Sequence, residues 1–229
     1  MLRTGLSVLL AVLTVSWPGP QPESAYREGM VPVRLHGKGD HTLFVSRYEV
    51  SVASWRQCYE DGGCSFMPAM PAGRDGFPIT GVNWFDIGEY LAWANGHSGG
   101  GLRLPTLAEW REMDRPLVHA KPAPQFTDPR LAWAADYGEE STPTGPVRPR
   151  GSFSTTPAGI ADLDGNVWEW TSSCFSSAFN GEMKDRCPAF VAAGAHEAVV
   201  SAFVRNPGLG GCATGTPPTH LGFRLVADR

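Results

Sequence analysis

Glycine and proline interrupt this chain so often that it cannot build long regular elements. Of its 229 residues, 27 are glycine and 20 are proline. Proline fixes φ and removes a backbone donor, and glycine loses the most conformational freedom on ordering. This density is too high for a helical bundle and too low for low-complexity disorder. The chain still has the material for a core, since 42% of it is hydrophobic and eight residues are tryptophan. A compact, tryptophan-rich fold with irregular segments between short elements follows. Disorder, collagen and coiled coil are excluded. A formal charge of −4 without a long basic run argues against a nucleic-acid partner, because neutralising phosphates needs clustered Lys and Arg.

Residues 1–25 have the grammar of a secretory signal. Arg3 precedes an apolar run from Leu6 to Trp17, and proline and small residues lead to Ala25 as a cleavage edge. The run is too short to span the roughly 30 Å of bilayer hydrocarbon as a helix. No later segment is apolar for long enough, so no membrane span is expected once the signal is removed. The expected location is periplasmic or secreted. The cysteines suit such a compartment. Cys58 and Cys64 flank a short turn, and Cys174 and Cys187 flank a Ser/Asn/Gly-rich loop, so each pair is a plausible disulfide. Cys212 is left over. Structural zinc is the alternative, although no C-x-x-C spacing occurs.

Residues 26–42 are polar and Gly-rich and read as an N-terminal extension. Leu43 to Val50 alternates like a strand. Ser51 can cap a helix to about Asp61, on which Val52, Trp55, Cys58 and Tyr59 recur at helical spacing. Asn83 can cap a second helix with Trp84, Ile87, Tyr90, Leu91 and Ala94 on one stripe, ended by three glycines. Thr106 and Glu109 have capping-box spacing at the start of a third. Residues 115–158 are mostly Pro-, Gly- and Ser-rich. The tail from His220 is a terminal strand candidate. Helices early and short strands late make the fold class α+β.

Three stretches occur in a telling order: LRLPTLAEW (102–110), GIADLDGNVWEWTSS (159–173) and LGFRLV (221–226). Each resembles a signature of the formylglycine-generating-enzyme-type, or sulfatase-modifying-factor, domain. RYEVSVASWRQC (47–58) and GVNWFDIGEYLAWAN (81–95) look like the same family's opening. The likeness runs over residues 43–229. It implies a variant of the C-type lectin fold with little regular secondary structure. It also marks Arg103, Glu109, Trp110 and Arg224 as scaffold positions. Trp168 and Trp170, two apart, are read as core.

Asp162, Asp164, Asn166 and Glu169 gather oxygens around Gly165, and calcium takes six to eight oxygen ligands. The resemblance implies a structural calcium held by the side chains of Asp162 and Glu169 and the carbonyls of Gly165 and Val167. The alternative is an Asx-type turn, in which Asp and Asn side chains bond backbone N–H groups.

The resemblance also bears on catalysis. Formylglycine-generating enzymes carry two cysteines, five residues apart, after a Gly-Gly-Ser-aromatic turn. They bind Cu(I), a soft ion suited to thiolates, and activate oxygen to oxidise a substrate cysteine. Here the turn reads Ala193, Gly194, Ala195, His196, and an ungapped alignment puts Ala198 and Phe203 at the cysteine positions. Copper is therefore not expected. His196 and Glu197 begin an H-E-x-x-H motif that fails at Val200. Cys212, His196 and His220 remain as candidates for a non-standard metal site.

Two functions follow. One is an exported protein- or peptide-binding module, or an accessory of maturation, with a protein or peptide partner in the extracytoplasmic space. The other is a metal-dependent oxidoreductase acting on a protein or a small thiol.

Overall fold

The computed structural model describes residues 29–35, 41–117, 145–175, 187–209, 213–214, 218 and 220–228. The signal-like segment and Cys212 lie outside the described residues. The helices are α1 (Val52–Glu60), α2 (Trp84–Ser98) and α3 (Leu107–Asp114). The strands are β1 (Met30–Leu35), β2 (His41–Ser46), β3 (Leu102–Arg103), β4 (Trp168–Cys174), β5 (Ala189–Ala193), β6 (Ala198–Ser201), β7 (Ala213–Thr214), β8 (Leu221–Gly222) and β9 (Val226–Ala227). Short helices and strands give the expected α+β class, although β1 and β2 precede the helices.

The helix starts fall where the polar caps predict. The Ser51 hydroxyl accepts the Ser54 N–H at 3.0 Å. Asn83 accepts the N–H groups of Phe85 and Asp86 while the Asp86 carboxylate accepts the Asn83 N–H. Thr106 and Glu109 form the same reciprocal box. Each box satisfies donors that the first helical turn leaves open.

The strands depart from expectation in two places. The expected extension contains β1, which pairs antiparallel with β2 from Met30↔Ser46 to Leu35↔His41. Its Val33 and Leu35 are buried, an alternation hidden in the sequence by Pro32 and the glycines around it. The strand expected to reach Val50 stops at Ser46, because the backbone then turns to pair with the tail. The Ser46 N–H donates to the Leu225 carbonyl and the Val50 N–H to that of Phe223, both at 2.8 Å.

Two sheets result, ordered β1-β2-β9-β3 and β7-β6-β5-β4-β8. The C-terminal tail belongs to both. Its β8 runs parallel to β4, and its β9 lies antiparallel between β2 and β3. The residues between, Phe223, Arg224 and Leu225, are buried where the sheets meet. Aromatic packing fills one side of that junction. Trp55 stacks on Tyr90 with ring centroids 5.4 Å apart, and Phe223 meets Tyr90 edge-on at 5.4 Å. Full burial of each such side chain stabilises the fold by about 1.5–3 kcal/mol. Trp168 and Trp170 of β4 are core residues, as expected.

Both expected disulfides are closed. Cys58–Cys64 ties the end of α1 to the following loop, and Cys174–Cys187 joins the end of β4 to the residues before β5. Among the described residues no helix is long and apolar enough to cross a membrane.

Candidate functional site

The turn between residues 162 and 167 enters β4 with Asp162 at φ 66° and Asn166 at φ 69°. Asp and Asn tolerate this left-handed region better than most residues. Gly165 is required for space, since a Cβ there would lie 2.3 Å from the Phe153 ring. The acidic side chains hold a neighbouring loop. Asp162 accepts the N–H groups of Gly151 and Phe153, Asp164 accepts that of Ser154, and Asn166 accepts that of Arg148. Sequence reading missed this clasp because its donors are backbone groups of a loop with no pattern of its own.

Glu169 lies one turn of chain further, in β4. Arg224 forks its carboxylate, with Nε to Oε2 at 2.7 Å and Nη2 to Oε1 at 2.5 Å, and Trp110 Nε1 donates to Oε2 at 2.9 Å. Arg224 also donates to the carbonyls of Ser46 and Ala161. Of the four expected scaffold residues, Trp110 and Arg224 thus meet at the Glu169 carboxylate, and Arg103 forks Glu109.

A third buried carboxylate sits nearby. Glu49 is fully buried, and its Oε2 has no donor among the described residues. The Asn166 amide reaches Oε1 at 3.4 Å. Burial pushes the Glu49 carboxyl up to about 8; Arg224 opposes the rise, and Glu169 and Asp162 add to it. The sequence did carry a signal, since Glu49 is in phase with the inward-facing Leu43 and Val45.

These observations test the donors implied for calcium. A carboxylate offers about four lone-pair sites, so Asp162 and Glu169 keep acceptor capacity beyond the contacts above. Both oxygens of Asp162 and of Glu169 accept donors, and the unsatisfied oxygen nearby belongs to Glu49, which is outside the set implied for calcium. The donor chemistry fits a hard cation.

The other sequence-predicted residues gather around Trp168. Gly194 allows the turn before β6 to approach that ring, as a Cβ there would lie 2.7 Å from it. The Trp168 indole donates to the His196 carbonyl at 3.1 Å, and the His196 ring meets it edge-on at 5.2 Å. On the other side the Trp168 N–H donates to the His220 carbonyl at 2.8 Å. Glu197 turns away to fork with Arg111 of α3. Ala198 is buried in β6, and Phe203 is 71% exposed just beyond it. Among the described residues, the imidazole and carboxylate groups that converge within 4.8 Å are His41, Glu109 and Asp228. Both carboxylates of that trio are forked by Arg103, which holds them below their ordinary range.

His220 lines an open cleft of about 320 Å³ with Phe66, Met70 and Arg205. Burial lowers its pKa, so the imidazole is neutral at neutral pH.

The Sulfatase-modifying factor enzyme 1-like domain matches residues 33–229. The chain belongs to this family. The Mycobacterium tuberculosis protein "Formylglycine-generating enzyme" is 28% identical over 223 residues, covering 78% of this chain and 69% of that protein. The mouse protein "Inactive C-alpha-formylglycine-generating enzyme 2" is 31% identical over 114 residues, covering 44% of this chain and 33% of the relative. The chain spans only about a third of the length of relatives that match at 30% identity or more. The structure of Treponema denticola variable protein 1 superposes with a TM-score of 0.55 at 15% identity, covering 87% of this chain and 95% of that one. The family fold, the formylglycine-generating-enzyme variant of the C-type lectin fold, accounts for the two small sheets joined by one tail.

Proposed function

We propose that this chain is an exported formylglycine-generating-enzyme-like domain without the copper cysteine pair. It works as a protein- or peptide-binding module or as an accessory of maturation. One observation carries the reading: the two aligned cysteine positions hold a buried methyl group at Ala198 and an exposed phenyl ring at Phe203. Neither side chain offers the thiolate that a soft cuprous ion prefers. Export rests on the signal-like grammar of residues 1–25, and the two closed disulfides suit an oxidising compartment.

In this reading calcium is held by the side chains of Asp162 and Glu169 with the carbonyls of Gly165 and Val167. Its chemistry is structural, neutralising buried carboxylates. The chain's own residues do the remaining positioning. Arg224 orients Glu169, Asp162 holds the loop at residues 151–153, and Trp168 fixes the backbone of His196 and His220.

Metal analysis of the purified protein tests the proposal. A binding module carries at most calcium. The competing oxidoreductase, built on Cys212, His196 and His220, carries about one copper or iron per chain.

A further inference from the structure

Arginine meets carboxylate across much of this fold. Arg103, Arg111, Arg205 and Arg224 each fork a carboxylate with two nitrogens, and Arg56 and Arg115 each pair with one. Arg47, Arg74, Arg148 and Arg150 do not, for none of them has a carboxylate partner among the described residues. Each of these guanidinium groups lies against an aromatic ring instead. Arg47 and Arg150 are 5.6 and 5.5 Å from the Tyr48 ring centroid, Arg74 is 4.1 Å from that of Phe77, and Arg148 is 5.5 Å from that of Phe153.

These arginines belong to one patch. Arg47 and Arg150 share the Tyr48 ring, and Arg148 and Arg150 are alternate residues of one segment. Arg74 Nη1 donates to the Val147 carbonyl at 3.3 Å, and the Arg150 N–H donates to the Gly76 carbonyl at 3.0 Å. The Asp162 and Asn166 side chains hold the same segment by the N–H groups of Arg148, Gly151 and Phe153. The backbone under the patch is thus set before a partner arrives, which limits the ordering cost of binding. None of these arginines lines the cleft beside His220.

The patch carries open donors and uncancelled charge. A ring face orients a guanidinium and leaves its N–H edge available. Arg74 and Arg150 each give one donor to a backbone carbonyl, of Val147 and Glu49. The side chains of Arg47 and Arg148, both exposed, donate to nothing among the described residues. Arg150 Nε is buried and has no acceptor there. The nearest acids are engaged elsewhere. Asp75 pairs with Arg56, and Asp162 and Asp164 accept backbone N–H groups. Like charges gathered in one place repel, so this patch is costly without a counter-charge from outside, even in a chain of net charge −4.

The counter-ion these arginines lack is the one the other arginines take, a carboxylate held by a planar fork. Its spacing is suited to a polypeptide. Pro149 biases Arg148 to extended backbone, and alternate residues of an extended chain are about 6.6 Å apart. Acidic side chains at every second position of an extended segment repeat at the same distance. Resting on the binding-module reading, we infer that the patch of Arg47, Arg74, Arg148 and Arg150 docks an acidic segment of a partner protein.

Fluorescence anisotropy of a labelled decapeptide of alternating Glu and Ser, titrated with the oxidised full chain at low salt, tests this. The peptide should bind, with an affinity that falls as salt rises. Arg47→Gln and Arg148→Gln should each weaken binding about 2–5-fold, as loss of an exposed ion pair does, with the melting temperature unchanged. Arg111→Gln removes the same charge outside the patch and should leave the affinity as it was. An equal loss in Arg111→Gln, or no peptide binding at all, overturns the inference. Vesicles of phosphatidylglycerol that capture the chain through Arg47 and Arg148 more tightly than the peptide does overturn it in favour of a membrane. Dimerisation lost in the same two variants overturns it in favour of a second copy. The binding-module reading is judged apart from these arms, by metal analysis, and about one copper or iron per chain overturns that reading whatever the peptide does.

Discussion

Arg224 and Glu169 join the two sheets through a forked ion pair whose side chains are sealed from solvent at 0% and 1% exposure. Removing one partner of a buried pair leaves the other charged in a medium that cannot solvate it, at a cost of about 3–5 kcal/mol. Arg224→Met should lower unfolding free energy by that amount in urea titration. Arg224→Lys should not rescue it. One ammonium cannot serve both Glu169 oxygens and the carbonyls of Ser46 and Ala161 as the planar guanidinium does.

Glu49 makes stability depend on pH in a defined window. Its folded pKa of about 8 exceeds the ordinary 4.5, so the folded state holds a proton that the unfolded state releases. The stabilisation is complete below about pH 4.5 and is lost as pH rises through about 8. In chelator, wild-type melting temperature should fall across that window more steeply than that of Glu49→Gln. Parallel curves for the two proteins would show that Glu49 does not carry the proton.

Calcium should raise the melting temperature, because an ion that binds only the folded state stabilises it by mass action. Glu169→Gln, measured against its own chelated form, should show a much smaller rise. Calcium-loaded and chelated wild-type proteins that melt together would remove calcium from the account.

The two disulfides differ in access. Cys58 and Cys64 are 0% and 2% exposed, whereas Cys174 lies exposed at the end of β4. Thiol–disulfide exchange requires the attacking thiolate to reach a sulfur. Brief reduction under native conditions, followed by alkylation and peptide mass mapping, should label Cys174 and Cys187 before Cys58 and Cys64.

Much of this structure is written locally. Ser51, Asn83 and Thr106 announce their helices because a cap and its partners lie within three residues. The disulfide pairs were legible for the same reason of short separation. The tail was not. Leu221 to Ala227 reads as one strand but serves two sheets, and its partners lie far away in the chain. The site shows the same division. The oxygen-rich turn stands out in sequence. The Phe85–Phe203 ring contact and the Arg205–Asp86 fork join segments more than 100 residues apart, and no spacing rule reaches that far.

Ala198 and Phe203 stand where an ungapped alignment puts the family's two copper cysteines, so this chain should hold no copper site with two sulfur ligands there. Titration of the full chain with both disulfides closed, using Cu(I) against a competing chelator and X-ray absorption at the copper edge, tests this. The account predicts no stoichiometric tight site. One copper per chain with two sulfur ligands would contradict it.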